Sequence, residues 1–292
     1  MTSSHAFLKP ADISHAFLQA CHAELTALKP GNVHIHADGH DMEVRHFTQA
    51  AIAAAPFIAK LELSLGERIK AAVAASMEAA GCNTNLGIIL LCAPLAAAAL
   101  RDEPGSLRKR LERVLADMDM DDACLIYSAI GLANPGGLGK ADIADVSQAP
   151  TIPLLDAMAL AAPRDRIAAN YTHGFNDIFD NHLPKLNKIY AGVRASGPPS
   201  NDDAVATLYM SLLAHYPDSH IRRKFGMETA AHVQEIARTA KPFWTPAVNS
   251  ASYDALLKLD TLLKANGWNP GTTADFVVAT VFAAKIDSEI HH

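Results

Sequence analysis

Apolar positions recur along this chain at spacings of three and four, and the period-two alternation of strands is missing. In DISHAFLQACHAELTAL (12–28), Ile13, Phe17, Leu18, Cys21, Leu25 and Leu28 form one stripe, with Asp12 placed to cap its start. GERIKAAVAASMEAAG (66–81) sets Ile69, Val73 and Met77 on one face and closes on Gly81, a residue suited to a helix stop. NDDAVATLYMSLLAHYPD (201–218) and ASYDALLKLDTLLKANG (251–267) repeat the pattern, the second ending at Asn266-Gly267. In NPGTTADFVVATVFAAK (269–285), Thr272 precedes Asp275 by three residues, a capping-box arrangement at a helix start.

One run is apolar all round. Leu86 to Leu100 spans fifteen residues, short of the eighteen or more that suggest a membrane-spanning helix, so it reads as a buried helix. The whole pattern predicts ten to twelve helices, no strand and an all-α bundle around that buried helix. No repeat of fixed period stands out. GVRASGPPSND (192–202) is the clearest loop, and helix spacing gives no reason to divide residues 1–292 into two domains. Flexible ends are expected at about 1–10 and 287–292.

Composition narrows the function classes. Half of the residues are apolar and 19% are charged, which fits a globular protein and opposes disorder. Net charge is −6 with no basic run, which argues against nucleic acid as a partner. The start, MTSSHAFLKPAD, carries no export signal, and the four scattered cysteines form no CxxC pair. A cytoplasmic protein with reduced thiols is the expectation.

Polar residues gather at a few helix ends. In ELTALKPGNVHIHADGHDMEV (24–44), Lys29-Pro30-Gly31-Asn32 breaks a helix before His34, His36, His40 and Asp41. The H-x-H spacing suits a transition metal, but a carboxylate site for Mg²⁺ shared with a phosphorylated substrate fits a loop better. GCNTNLG (81–87) opens the buried run; one asparagine would cap that helix, so Asn83 and Asn85 leave one amide for a ligand. ANPGGLGKADIADV (133–146) is not a phosphate loop, because Asn134 stands where its first glycine belongs and Ala141 follows Lys140. Gly136 and Gly137 still permit close backbone approach to a ligand. In LAHYPDSHIRRKFGME (213–228), Asp218, His220, Arg222, Arg223 and Lys224 crowd together, as a solvated turn or as a polyphosphate clamp.

KPGNVH (29–34), Asp41-Met42, NTNLG (83–87), PDSHIRRKFG (217–226) and NPGTTADFV (269–277), in this order, resemble the triphosphoribosyl-dephospho-CoA synthase family over about residues 13–285. The resemblance implies an all-helical enzyme that uses ATP and 3′-dephospho-CoA. The acceptor's 2′-hydroxyl attacks the anomeric carbon of ATP, adenine leaves, and a triphosphoribosyl group is transferred. The family pattern often reads PGLVD and NTHKG, whereas PGNVH, NTNLG and PGGLG stand here, as in a distinct branch.

That chemistry passes through an oxocarbenium-like state and needs carboxylates, a proton donor and cations for three phosphates. On this reading Glu24, Asp41, Asp218 and Asp275 are the candidate carboxylates, with Mg²⁺ on Asp41 and Asp218. His34 and His220 shuttle protons. Lys29, Arg223 and Lys224 take the triphosphate, and Asn32, Asn83, Asn85, Gly87, Gly136 and Gly137 complete the binding set. Asp275 also has the capping-box explanation. Two alternatives stay open: a branch enzyme acting on a pterin- or furan-type cofactor precursor, and a helical binding protein without turnover. Small-molecule substrates and compatibility with a homodimer complete the expectations.

Overall fold

The computed structural model describes residues 8–40, 42–136, 145–196 and 201–290. Among them are thirteen α-helices and no strand, only two isolated bridges within the turn after the first helix. That first helix, α1 (Pro10–Thr26), starts at a proline, which loses nothing at a position whose N–H has no partner. Asp12 is therefore inside the helix, not its cap, and accepts the Lys9 N–H at 3.0 Å.

The helices α2 (Val44–Ile58), α3 (Leu65–Ala80) and α4 (Leu86–Leu100) follow. Gly81 ends α3 with φ of 70°, a left-handed conformation that favours glycine. The apolar run is α4, with its predicted limits, and thirteen of its fifteen residues are buried. It packs against α1, α2, α3, α5 (Leu107–Ala116), α8 (Arg166–Thr172) and α13 (Gly271–Ile290). Pro94 lies inside α4 and has no N–H to offer the carbonyl of Leu90. The buried hydroxyl of Tyr171 on α8 donates to that carbonyl instead, at 2.6 Å. Such a bond contributes about 1 kcal/mol net, and an unmet buried carbonyl would cost more.

The remaining helices are α6 (Met120–Ala133), α7 (Leu154–Ala161), α9 (Leu183–Ser196), α10 (Asn201–His215), α11 (Ser219–Thr239) and α12 (Tyr253–Ala265). The loop expected over 192–202 is shorter, because α9 continues to Ser196 and α10 resumes at Asn201. The helix at the other end also reaches further than expected, with α13 continuing to Ile290. No helix among the described residues is long and apolar enough to cross a membrane.

The turn after α1 is fixed from a distance. Gly31, at φ of 84°, donates its N–H to Asp260 on α12 at 2.8 Å. A Cβ there would stand 2.9 Å from Leu263, Pro270 and the Trp268 carbonyl, so only glycine fits. Tyr209 donates to the Pro30 carbonyl, and Lys264 spans from Asp260 to the Ala37 carbonyl. These bonds hold the turn after α1 against α10 and α12.

Candidate active site

The N-terminal ends of α4, α11 and α13 open onto one cavity of about 650 Å³. Three helix dipoles thus present their positive ends to the same space. One carboxylate arranges two of them. Asp218 caps α11 through Oδ1, accepting from His220 N–H (2.8 Å) and Ile221 N–H (3.1 Å). Its Oδ2 accepts from the N–H and the hydroxyl of Thr273 in the first turn of α13, each at 2.8 Å. A second aspartate does similar work at α8. Asp165 caps that helix through Oδ1 and receives Arg223 Nη1 on Oδ2 at 2.6 Å.

Three other carboxyl groups line the cavity, Glu24, Asp145 and Asp275, and two of them are buried beside the helix starts. Asp275 comes from the first turns of α13 and lies against Gly87, at the second position of α4. A Cβ on Gly87 would overlap the Asp275 carboxyl, reaching within 2.5 Å of its carbon. Burial, reinforced by the charges of Asp218 and Glu24, pushes the Asp275 carboxyl well above the usual carboxylate range. Glu24, at the end of α1, forms a buried ion pair with Lys29, whose Nζ also donates to Asn32 Oδ1 at 3.2 Å. Asn32 in turn donates to Asn269 Oδ1 at 2.8 Å. Burial raises the Glu24 carboxyl and lowers the Lys29 ammonium, while each partner pulls the other back.

The rim is cationic. Arg222, Arg223 and Lys224 occupy the first two turns of α11 beside His220, and Arg164 adds a further charge before α8. Gly226, at φ of 90°, breaks the helical backbone directly after this cluster. Burial pushes His220 down to about 4, helped by the charges of Arg223 and Lys224, so its ring is neutral at pH 7. Gly271 lies beside this imidazole, where a Cβ would make an ordinary contact 3.4 Å from Nδ1. Away from the rim the cavity turns apolar, with Leu90, Ile130, Leu154, Met158 and Ile167 as its wall.

The model of the family described as ATP:dephospho-CoA triphosphoribosyl transferase (CitG) matches residues 10–292. This chain belongs to that family. The 2-(5''-triphosphoribosyl)-3'-dephosphocoenzyme-A synthase of Pectobacterium atrosepticum is 30% identical over 108 residues. A protein of Pectobacterium carotovorum subsp. carotovorum, named as a probable synthase of the same kind, is 32% identical over 108 residues. In both cases the alignment covers 37% of this chain and 32% of the relative, so about a third of the curated proteins' length is spanned. A crystal structure from Archaeoglobus fulgidus, assigned by name to triphosphoribosyl-dephospho-CoA synthase, shares the fold. Its TM-score is 0.59 at 23% identity, over 80% of this chain and 96% of that one.

The expected site residues do converge, and nine of them line one cavity: Glu24, Asn32, Asn83, Gly87, Gly136, His220, Arg223, Lys224 and Asp275. Four do not face it. Asp218, expected as a catalytic and metal carboxylate, has both oxygens engaged by four protein donors and braces the site from beneath. Lys29, expected on the triphosphate, is fully buried against Glu24. His34, expected to move protons, is buried 3.3 Å from Asp260, where burial pulls its basicity down. Asn85 points inward, its Oδ1 accepting from Ser76 at 2.5 Å.

Asn83 takes both roles proposed for the asparagine pair: its Oδ1 accepts from Leu86 N–H at 3.3 Å, and it lines the cavity. The capping box at Thr272 is absent as well, because α13 begins at Gly271 and its cap comes from Asp218. Asp41 and Gly137 lie outside the described residues. Arg164, Asp165 and Asn269 escaped notice in the sequence. Asp165 and Asn269 had visible signals, an aspartate before a helix and an asparagine inside a shared motif; Arg164 had none.

Proposed function

We propose that the protein transfers a triphosphoribosyl group from ATP to the 2′-hydroxyl of a dephospho-CoA-like acceptor and releases adenine. The carrying observation is the pairing of two cavity-facing carboxyls, Glu24 and Asp275, with a cationic rim at the start of α11. A sugar cation needs negative charge beside it, while the triphosphate needs positive charge at a distance along the same molecule. The triphosphate lies along His220, Arg223 and Lys224 and the N-terminal ends of α4 and α13. The anomeric carbon then sits between the carboxyls, and the apolar wall takes the base.

ATP enters as its Mg²⁺ complex, with the phosphates as the principal ligands. Asp218 does not fit as a protein ligand, because its oxygens are already occupied. No group of three or more His, Cys, Asp or Glu suited to a metal occurs among the described residues. Magnesium's part is to offset phosphate charge, and both substrates belong to the cytoplasm.

Purified protein incubated with MgATP and 3′-dephospho-CoA tests the reading by chromatography. Stoichiometric adenine and an acceptor enlarged by one triphosphoribosyl group are expected. No adenine with this acceptor, alongside turnover of ATP with a pterin- or furan-type precursor, would replace the acceptor. No turnover with either would reject the transferase reading.

A further inference from the structure

Glu24 and Asp275 face the same cavity in opposite chemical settings. Glu24 has a fixed cation: the Lys29 ammonium lies against its Oε1, held from the other side by Asn32. Asp275 has none. No hydrogen bond or ion pair from the described residues reaches its carboxyl, which lies against Gly87; the charges of Asp218, Glu24 and Asp165 favour its protonated form and that of Arg223 opposes them. Of the two, the unpaired aspartate is the carboxyl favoured to hold a proton, and the glutamate against a lysine is the one favoured to be ionised. Two carboxyls held apart in protonation are suited to two halves of one reaction.

We propose that Asp275 is the acid that protonates the departing base, and that Glu24 is the carboxylate facing the sugar and receiving the proton of the attacking hydroxyl. The assignment rests on the transfer reaction proposed above. In the step, the bond between the ATP anomeric carbon and the adenine ring nitrogen breaks, and its electron pair goes to the base. The Asp275 proton moves to a ring nitrogen of that base. The acceptor's 2′-oxygen forms the new bond to the anomeric carbon, and its proton goes to Glu24. Solvent afterwards carries that proton back to Asp275, so no net proton is gained or lost. Gly87 and Lys29 are positioning residues: one leaves Asp275 its place, the other favours the ionised form of Glu24.

N7-methyl-ATP separates the roles, because its base already carries a positive charge and leaves without an acid. Base release is measured for the wild type and for Asp275→Asn, with dephospho-CoA as acceptor and either nucleotide as donor. With MgATP the variant is expected to fall by about 10²–10⁴-fold, the usual contribution of a positioned acid. With N7-methyl-ATP it stays within about tenfold of the wild type. Equal losses with both donors would overturn the assignment and make Asp275 an electrostatic or structural group.

The wild type supplies a second reading that needs no variant. Its rate with MgATP falls as pH rises through the ionisation of the acid, and this limb is absent with N7-methyl-ATP. The same limb with both donors also overturns the assignment. A wild type inert with both donors rejects the transfer reaction itself, and the assignment with it.

Discussion

The carboxyl of Asp275 fills the space that a side chain at residue 87 would need. Alanine is a better helix former than glycine by about 1 kcal/mol, so Gly87→Ala favours α4 locally. The new methyl group, however, must push the carboxyl off its seat. We expect a melting temperature within a few degrees of the wild type and a loss of adenine release of about 100-fold or more, in line with the contribution of one positioned acid. Thermal denaturation beside an adenine assay checks this; full activity would show that the carboxyl's seat is unimportant.

Asp218→Ala removes the caps of two helices and leaves the buried Thr273 hydroxyl without an acceptor. A single cap contributes about 0.5–2 kcal/mol, so a combined loss of about 2–4 kcal/mol is expected. Equilibrium urea unfolding measures it. A change below about 0.5 kcal/mol, the size of an ordinary surface substitution, would contradict the double cap.

His220 makes stability depend on pH in a defined window. Its basicity is lowered from 6.5 to about 4 in the folded protein, so between those values the unfolded chain binds the extra proton. The contribution is present above pH 6.5 and is lost as pH falls toward 4, up to about 3 kcal/mol. Unfolding free energies of His220→Gln across pH 4–7 should therefore show a shallower acid loss than the wild type. Parallel curves would place the acid sensitivity elsewhere.

Lys29→Met strands the Glu24 carboxylate in the interior. Breaking one side of a buried pair costs about 3–5 kcal/mol, whereas replacing both sides by neutral groups is often close to neutral. Lys29→Met with Glu24→Gln should thus recover most of the stability lost by the single variant, but not the adenine release. Chemical denaturation and the same assay distinguish this outcome from simple additivity.

Much of this fold was written in the spacing of apolar residues. The limits of α4, the stops at Gly81 and Gly267 and the absence of strands needed only local rules. Burial was harder to read at polar positions. Lys29 and Glu24 carry charges that suit a solvent-facing site, yet they are five residues apart across a turn and neutralise each other inside. Asp218 looked catalytic because it precedes a cationic cluster, and its true partner, Thr273, is 55 residues away. Asp275 carried two readings, a site carboxylate and a cap for Thr272, and the helix start at Gly271 removes only the second. Sequence order brings motifs together only when tertiary contacts are known.

Those contacts also set an order of events. Gly31 meets Asp260 across 229 residues and Asn32 meets Asn269 across 237, so the two walls of the cavity come from opposite ends of the chain. At a synthesis rate of about 5–20 residues per second, Asn32 waits on the order of ten to fifty seconds for its partner to be made. Throughout that interval Lys29 and Glu24 lack the cover that α12 and α13 later supply. Distant closures of this kind are slow, because the chain must lose loop entropy before the contacts return it. The chemical centre is thus completed last, because no nascent length short of α13 carries Asp275.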